Sequence, residues 1–98
     1  MIDDLRIDRT RFHVSQHVRA SISGDGLVLL DVQGGFVLAS NSIGARIWEL
    51  VEQQLGSRAI ASQLAREFDV PVQRAYSDVI AFVTALEARG LVNEAPAC

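Results

Sequence analysis

Chemistry in this chain would have to come from few residues. The two histidines, His13 and His17, stand four apart, a spacing that suits a metal on one face of a helix. That segment does not read as helical, no cysteine is near, and strand-like alternation begins at His17, so both are expected to be surface histidines. The carboxylate pairs Asp3/Asp4 and Glu49/Glu52 have no partner that would split their pKa values into an acid and a base, and solvated faces are expected. No serine sits in a Gly-x-Ser-x-Gly elbow. Gly34-Gly35 is followed by neither a phosphate-loop lysine nor a helix and reads as a hairpin turn. Cys98 is the single cysteine, which rules out an intramolecular disulfide and a cysteine metal cluster. All nine basic residues are arginine, so Schiff-base chemistry has no lysine to use. These residues predict a domain with no catalytic group, no metal and no cofactor.

What remains is binding, and charge narrows the partner. Twelve acidic residues against nine basic ones give a net charge of −3, the wrong sign for a surface that must neutralise phosphates. Nucleic acid and anionic membranes are therefore poor partners. The longest apolar runs, such as Gly26 to Val32, fall far short of the roughly 20 residues of a membrane-spanning helix. The N-terminus lacks the basic-then-apolar layout of a signal peptide, and a cytoplasmic protein is expected. With 98 residues, 49% of them hydrophobic, one modest core fits and a second does not.

The elements that must position a binding site follow from periodicity. Residues 1–16 are charge-rich and read as a flexible lead-in, residues 17–92 as the domain, and residues 93–98 as a tail. Val18, Ala20 and Ile22 alternate with Arg19, Ser21 and Ser23, the period of a half-buried strand. Gly24-Asp25-Gly26 predicts a tight hairpin into a second strand, Leu27 to Val32, and Gln33-Gly34-Gly35 turns the chain into a third, Phe36 to Ala39. Asn41 or Ser42 caps a helix whose Ile43, Ile47, Leu50, Val51 and Leu55 form a stripe with Trp48 at its edge. Gly56 is read as the end of that helix and Ser57 as the cap of the next, which carries Ile60, Leu64 and Phe68 on one face. After Asp69-Val70-Pro71 a longer helix runs from about Pro71 to Arg89, with Ala75, Val79, Phe82, Val83 and Leu86 inward and Gly90 as its stop.

Three antiparallel strands followed by three helices make an α+β domain of winged helix-turn-helix shape. A DNA-binding regulator is the rival this shape raises. Its recognition helix would need several base-reading side chains, yet this one sets Gln73, Arg74 and Arg89 against Asp78 and Glu87. Tyr76 and Ile80 lie off the core stripe and leave a homodimer or an enzyme contact open. A structural subunit that stiffens a larger enzyme is a third class.

The run Leu27 to Gly35, the segment Asn41-Ser42-Ile43-Gly44-Ala45-Arg46-Ile47-Trp48-Glu49-Leu50, and the pattern from Ala65-Arg66-Glu67-Phe68-Asp69-Val70 through Asp78-Val79 to Gly90-Leu91-Val92 resemble the PqqD family. These are small proteins of pyrroloquinoline quinone and other peptide-derived pathways, lasso-peptide clusters among them. Ser40 stands where the family usually has an apolar residue, and Phe36 to Leu38 replaces a more basic and aromatic run. The resemblance implies a non-catalytic recognition element that binds the leader of a ribosomally made precursor peptide. It would deliver that peptide to a modifying enzyme, a leader protease or a radical SAM enzyme. It also implies that the leader adds as a strand to the third strand, along Phe36, Val37, Leu38 and Ala39. Side chains on the flank of the third helix, Arg74, Asp78, Phe82 and Ala85, would then read the leader residues. Phe82 also belongs to the inward stripe, and Arg74 and Asp78, one turn apart, can pair with each other.

Overall fold

The computed structural model describes residues 10–23 and 25–96. Five strands and three helices follow one another: β1 (Thr10–Val14), β2 (Val18–Ser23), β3 (Gly26–Asp31), β4 (Phe36–Asn41), α1 (Ser42–Glu52), α2 (Ser57–Phe68), α3 (Val72–Ala88) and β5 (Val92–Pro96). The strands β2, β3 and β4 form the expected antiparallel meander, with β3 in the middle. Leu27 and Leu29 of β3 point inward and are buried, whereas Val28 and Leu30 are exposed on the other face. One face of the sheet thus packs on the helices, as period-2 alternation requires.

The lead-in expected over residues 1–16 differs from the structure. Thr10–Val14 is a strand that pairs antiparallel with β5, matching Phe12 to Glu94 and Val14 to Val92. Phe12 and Val92 are both fully buried. The expected tail is likewise strand as far as Pro96. Single apolar residues among arginines and histidines carry little strand signal, and each strand's partner lies at the far end of the sequence. Residues 1–9, with Asp3 and Asp4, and residues 97–98, with Cys98, lie outside the described residues.

Trp48, expected at the edge of its stripe, is 1% exposed and belongs to the central core with Leu29, Leu50, Ile60, Val79 and Leu86. The helix boundaries around residue 56 also differ. The first helix stops at Glu52, Gln54 takes the left-handed conformation with φ 70, and Gly56 is the cap position before Ser57. The same closure ends all three helices. Gln54, Asp69 (φ 55) and Gly90 (φ 72) each turn left-handed, and the next residue donates its N–H back to a carbonyl of the last turn. Those bonds are Leu55 to Leu50, Val70 to Ala65 and Leu91 to Leu86. Gly26 opens β3 and is no part of the turn expected there; Gly24 lies outside the described residues.

An ion-pair network ties α1 to α2. Arg46 donates from Nε and Nη2 to the two carboxylate oxygens of Glu67 at 2.8 and 2.7 Å and from Nη1 to Glu49 at 3.2 Å. Gln63 adds a bond to Glu67. The guanidinium of Arg46, and then the amide of Gln63, hold the Glu67 carboxyl down to about 2. Among the described residues no helix is long and apolar enough to cross a membrane.

Candidate functional site

The ladder pattern shows which backbone groups of β4 are open. Val32 donates its N–H to His17, so alternate residues of β3, namely Leu30, Val28 and Gly26, turn their polar groups toward β2. Asp31, Leu29 and Leu27 must then face β4, and Gly35 indeed donates to the Asp31 carbonyl at 2.8 Å. Their partners Phe36, Leu38 and Ser40 are consumed inside the sheet. Val37 and Ala39 therefore aim N–H and C=O away from it, along an edge that pairs with no further strand among the described residues.

Local chemistry holds that edge in register. The Asp31 carboxylate accepts the N–H groups of Gln33 and Gly34 at 3.0 Å each, which shapes the four-residue turn into β4. At the other end Asn41 is both the last residue of β4 and the cap of α1, accepting the Gly44 N–H at 3.0 Å. Strand passes into helix with no loop between them. The opposite edge of the sheet, β2, is partly closed at its start. Val18 donates its N–H to Ser15, and its carbonyl accepts from the Arg19 guanidinium at 3.2 Å.

Beside the end of β4 lies an open groove of about 480 Å³. Ser40, Asn41, Ile43, Gly44 and Ile47 form one wall, and Arg74, Asp78, Ala81 and Phe82 of α3 form the other. Gly44 lets the walls meet. A Cβ there would run into the Ser40 hydroxyl, lie 2.7 Å from the Ser40 Cβ and 3.2 Å from a ring carbon of Phe82. Arg74 and Asp78 face each other across one turn at 3.8 Å, both well exposed, a pairing too loose to withhold either from a ligand. Phe82 is half-buried against the core and also lines the groove. Past Arg74 and Asp78 a smaller crevice continues to Phe68 and Val70.

Three of the four helix residues singled out in the sequence, Arg74, Asp78 and Phe82, thus share this groove. Ala85 is exposed and lies outside its lining, where Ala81 stands instead. Sequence reasoning missed that Ile43, Gly44 and Ile47 line this groove. The signal was the capping pattern Asn41-Ser42-Ile43-Gly44, read for helix initiation alone. His13 and His17 are exposed, and no three His, Cys, Asp or Glu side chains converge among the described residues.

An open strand edge beside a helix-walled groove, on a meander followed by three helices, defines a small α+β domain of winged helix-turn-helix type. A family model described as Coenzyme PQQ synthesis protein D (PqqD) matches residues 26–92, and the chain belongs to that family. Two solved structures are similar. TbiB1 in complex with the TbiA(beta) leader peptide is 28% identical with a TM-score of 0.75, over 82% of this chain and 93% of that one. Lasso peptide synthetase B1 complexed with the leader peptide is 25% identical with a TM-score of 0.76, over 85% of this chain and 98% of that one. No curated protein matches the sequence.

Proposed function

We propose that this chain is a non-catalytic peptide chaperone that captures the leader of a ribosomally made precursor by strand addition to β4. The leader takes the N–H and C=O groups of Val37 and Ala39, and Phe36 and Leu38 hold that edge in the sheet. Arg74, Asp78 and Phe82 contact its side chains, and Ala85 extends the same flank. The chain then hands the precursor to a modifying enzyme, a leader protease or a radical SAM enzyme, in the cytoplasm where ribosomes release such a peptide. The observation that carries this reading is the edge of β4, unpaired among the described residues, beside a groove with an apolar wall. An extended, initially disordered segment can satisfy both at once. Two similar structures being leader complexes supports the same partner class. The DNA-binding rival meets a net charge of −3 and an exposed helix flank on which Arg74 is set against Asp78.

The test is titration of a fluorescently labelled leader, taken from the precursor encoded beside the chain. A short strand that must order on binding gives a dissociation constant from about 0.5 to 50 μM. Affinity that collapses between low and physiological salt, or no binding at all, overturns the proposal. The purified chain alone leaves the precursor's mass unchanged; a mass shift without added enzyme refutes the non-catalytic part.

A further inference from the structure

Helix α3 has three flanks about 120° apart, as a period of 3.6 residues allows. Ala75, Val79, Val83 and Leu86 face the core, and Arg74, Asp78 and Phe82 face the groove. The third flank, with Gln73, Tyr76 and Ile80, faces the outer rim of α2. There a second pocket of about 320 Å³ lies between the two helices, lined by Arg58, Ala61, Ser62, Val72, Gln73 and Tyr76. The Arg58 guanidinium carbon lies 5.6 Å from the Tyr76 ring centroid, and this cation–π contact holds the charge at the pocket mouth. Val72 and Ile80 are exposed beside it, at 50% and 38%.

Charge makes the pocket specific. Arg46 is neutralised by Glu67 and Glu49, and Arg74 faces Asp78. The lining of this pocket contains no carboxylate, and among the described residues Arg58 meets a ring and no acid. On a chain of net charge −3, a cation without a carboxylate partner, over an apolar floor, is complementary to an acidic group from elsewhere. Guanidinium binds carboxylate in a two-pronged fork, and the Ser62 hydroxyl and Gln73 amide supply further donors. Ala61, Val72 and the Tyr76 ring suit an apolar side chain adjacent to that carboxylate.

We infer that this pocket docks an acidic segment of the modifying enzyme, through an Asp or Glu next to an apolar side chain. The inference rests on the peptide-chaperone reading for the enzyme's identity. Arginine and tyrosine are among the side chains enriched where such contacts concentrate their binding energy. Leader and enzyme are engaged on different flanks of α3, so both are held at once and neither displaces the other.

The experiment titrates the ¹⁵N-labelled chain, with and without saturating leader, with the probe peptide acetyl-Glu-Phe-Glu-amide. Millimolar binding is expected, with amide shifts gathered at Ala61, Ser62, Gln73 and Tyr76. The affinity should be the same in both states, at least tenfold lower in Arg58→Glu, and lost when the probe's glutamates are replaced by glutamine. Leader affinity of Arg58→Glu should stay within twofold of the parent, while processing of the precursor by its enzyme slows at least tenfold. Probe shifts centred on Asp78 and Phe82, or equal probe binding by Arg58→Glu, overturn the pocket. Unchanged processing by Arg58→Glu overturns its assignment to the enzyme. Failure of the parent to bind leader would instead sink the chaperone reading, and the leader-free titration still judges the pocket.

Discussion

At the scale of single residues, the two neighbours Val37 and Leu38 should respond to proline in opposite ways. Val37 directs its N–H to the open edge, so Val37→Pro removes a donor that the sheet itself does not use. The fold should persist by circular dichroism, while leader binding weakens by about 1.4 kcal/mol or more, a factor of ten, because an acceptor on the leader is stranded. Val37→Ala keeps the N–H and should lose less. Leu38→Pro breaks a bond inside the sheet and should lower the melting temperature before any ligand is added. Equal leader affinity in folded Val37→Pro and the parent would exclude strand addition at this edge. Which of the two residues points outward was not legible in the sequence, since alternation gives the face of a side chain but not the parity of the ladder. Gly44 was equally hidden, because its role depends on Ser40 and Phe82, which arrive from separate elements. Gly44→Val should narrow the groove, cost about 1–3 kcal/mol of stability by overpacking, and weaken leader binding. A thermal melt paired with the leader titration measures both effects.

The elements themselves were largely legible, because each rests on a local rule. The strand from Val18, the Asn41 cap and the Gly90 stop all appear in the structure where their residues predict them. Of the alternating Val18, Ala20 and Ile22 only Val18 is buried, because the rest of this edge strand lies beyond the reach of the helices. The break at Asp69 falls where the sequence places it, whereas the end of the first helix was misplaced at Gly56, because the left-handed position there is held by Gln54 instead of glycine. A side chain in that conformation carries a cost of about 1 kcal/mol. Gln54→Gly should therefore stabilise the chain by several tenths of a kcal/mol to about 1 kcal/mol, read as a shifted urea midpoint, and a destabilised variant would contradict the closure described. The α1–α2 network adds a pH dependence of defined sign. Glu67 is held at about 2 against an ordinary carboxylate value of 4.5, so its contribution is present above pH 4.5 and is lost as the pH falls through about 2. With both side chains about a third exposed, the contribution is about 1 kcal/mol. Glu67→Gln should be less stable than the parent at pH 6 by about that amount, with the gap narrowing below pH 4.5 and closing only below pH 2, compared by denaturant unfolding at each pH.

At the scale of the whole molecule, the sequence spoke for the middle of the chain and was silent about its ends. The β1–β5 ribbon joins residues about 80 positions apart, a pairing that no local pattern announces, and its Phe12 is a large side chain fully buried in the core. Phe12→Ala should cost about 3–5 kcal/mol, as for a central core residue, whereas a lead-in would tolerate the change; equilibrium unfolding decides between them. The ribbon also has a consequence in time. Closing so long a loop repays its entropy only after the intervening sheet and helices have formed, which makes β1–β5 pairing a late event in folding. An element that joins late is suited to part first. Hydrogen exchange should then find the amides of the ribbon opening together, at a lower free energy than those of α1 and β3. While the ribbon is apart, the central apolar core is uncovered at Phe12, although the β4 edge and its groove remain assembled.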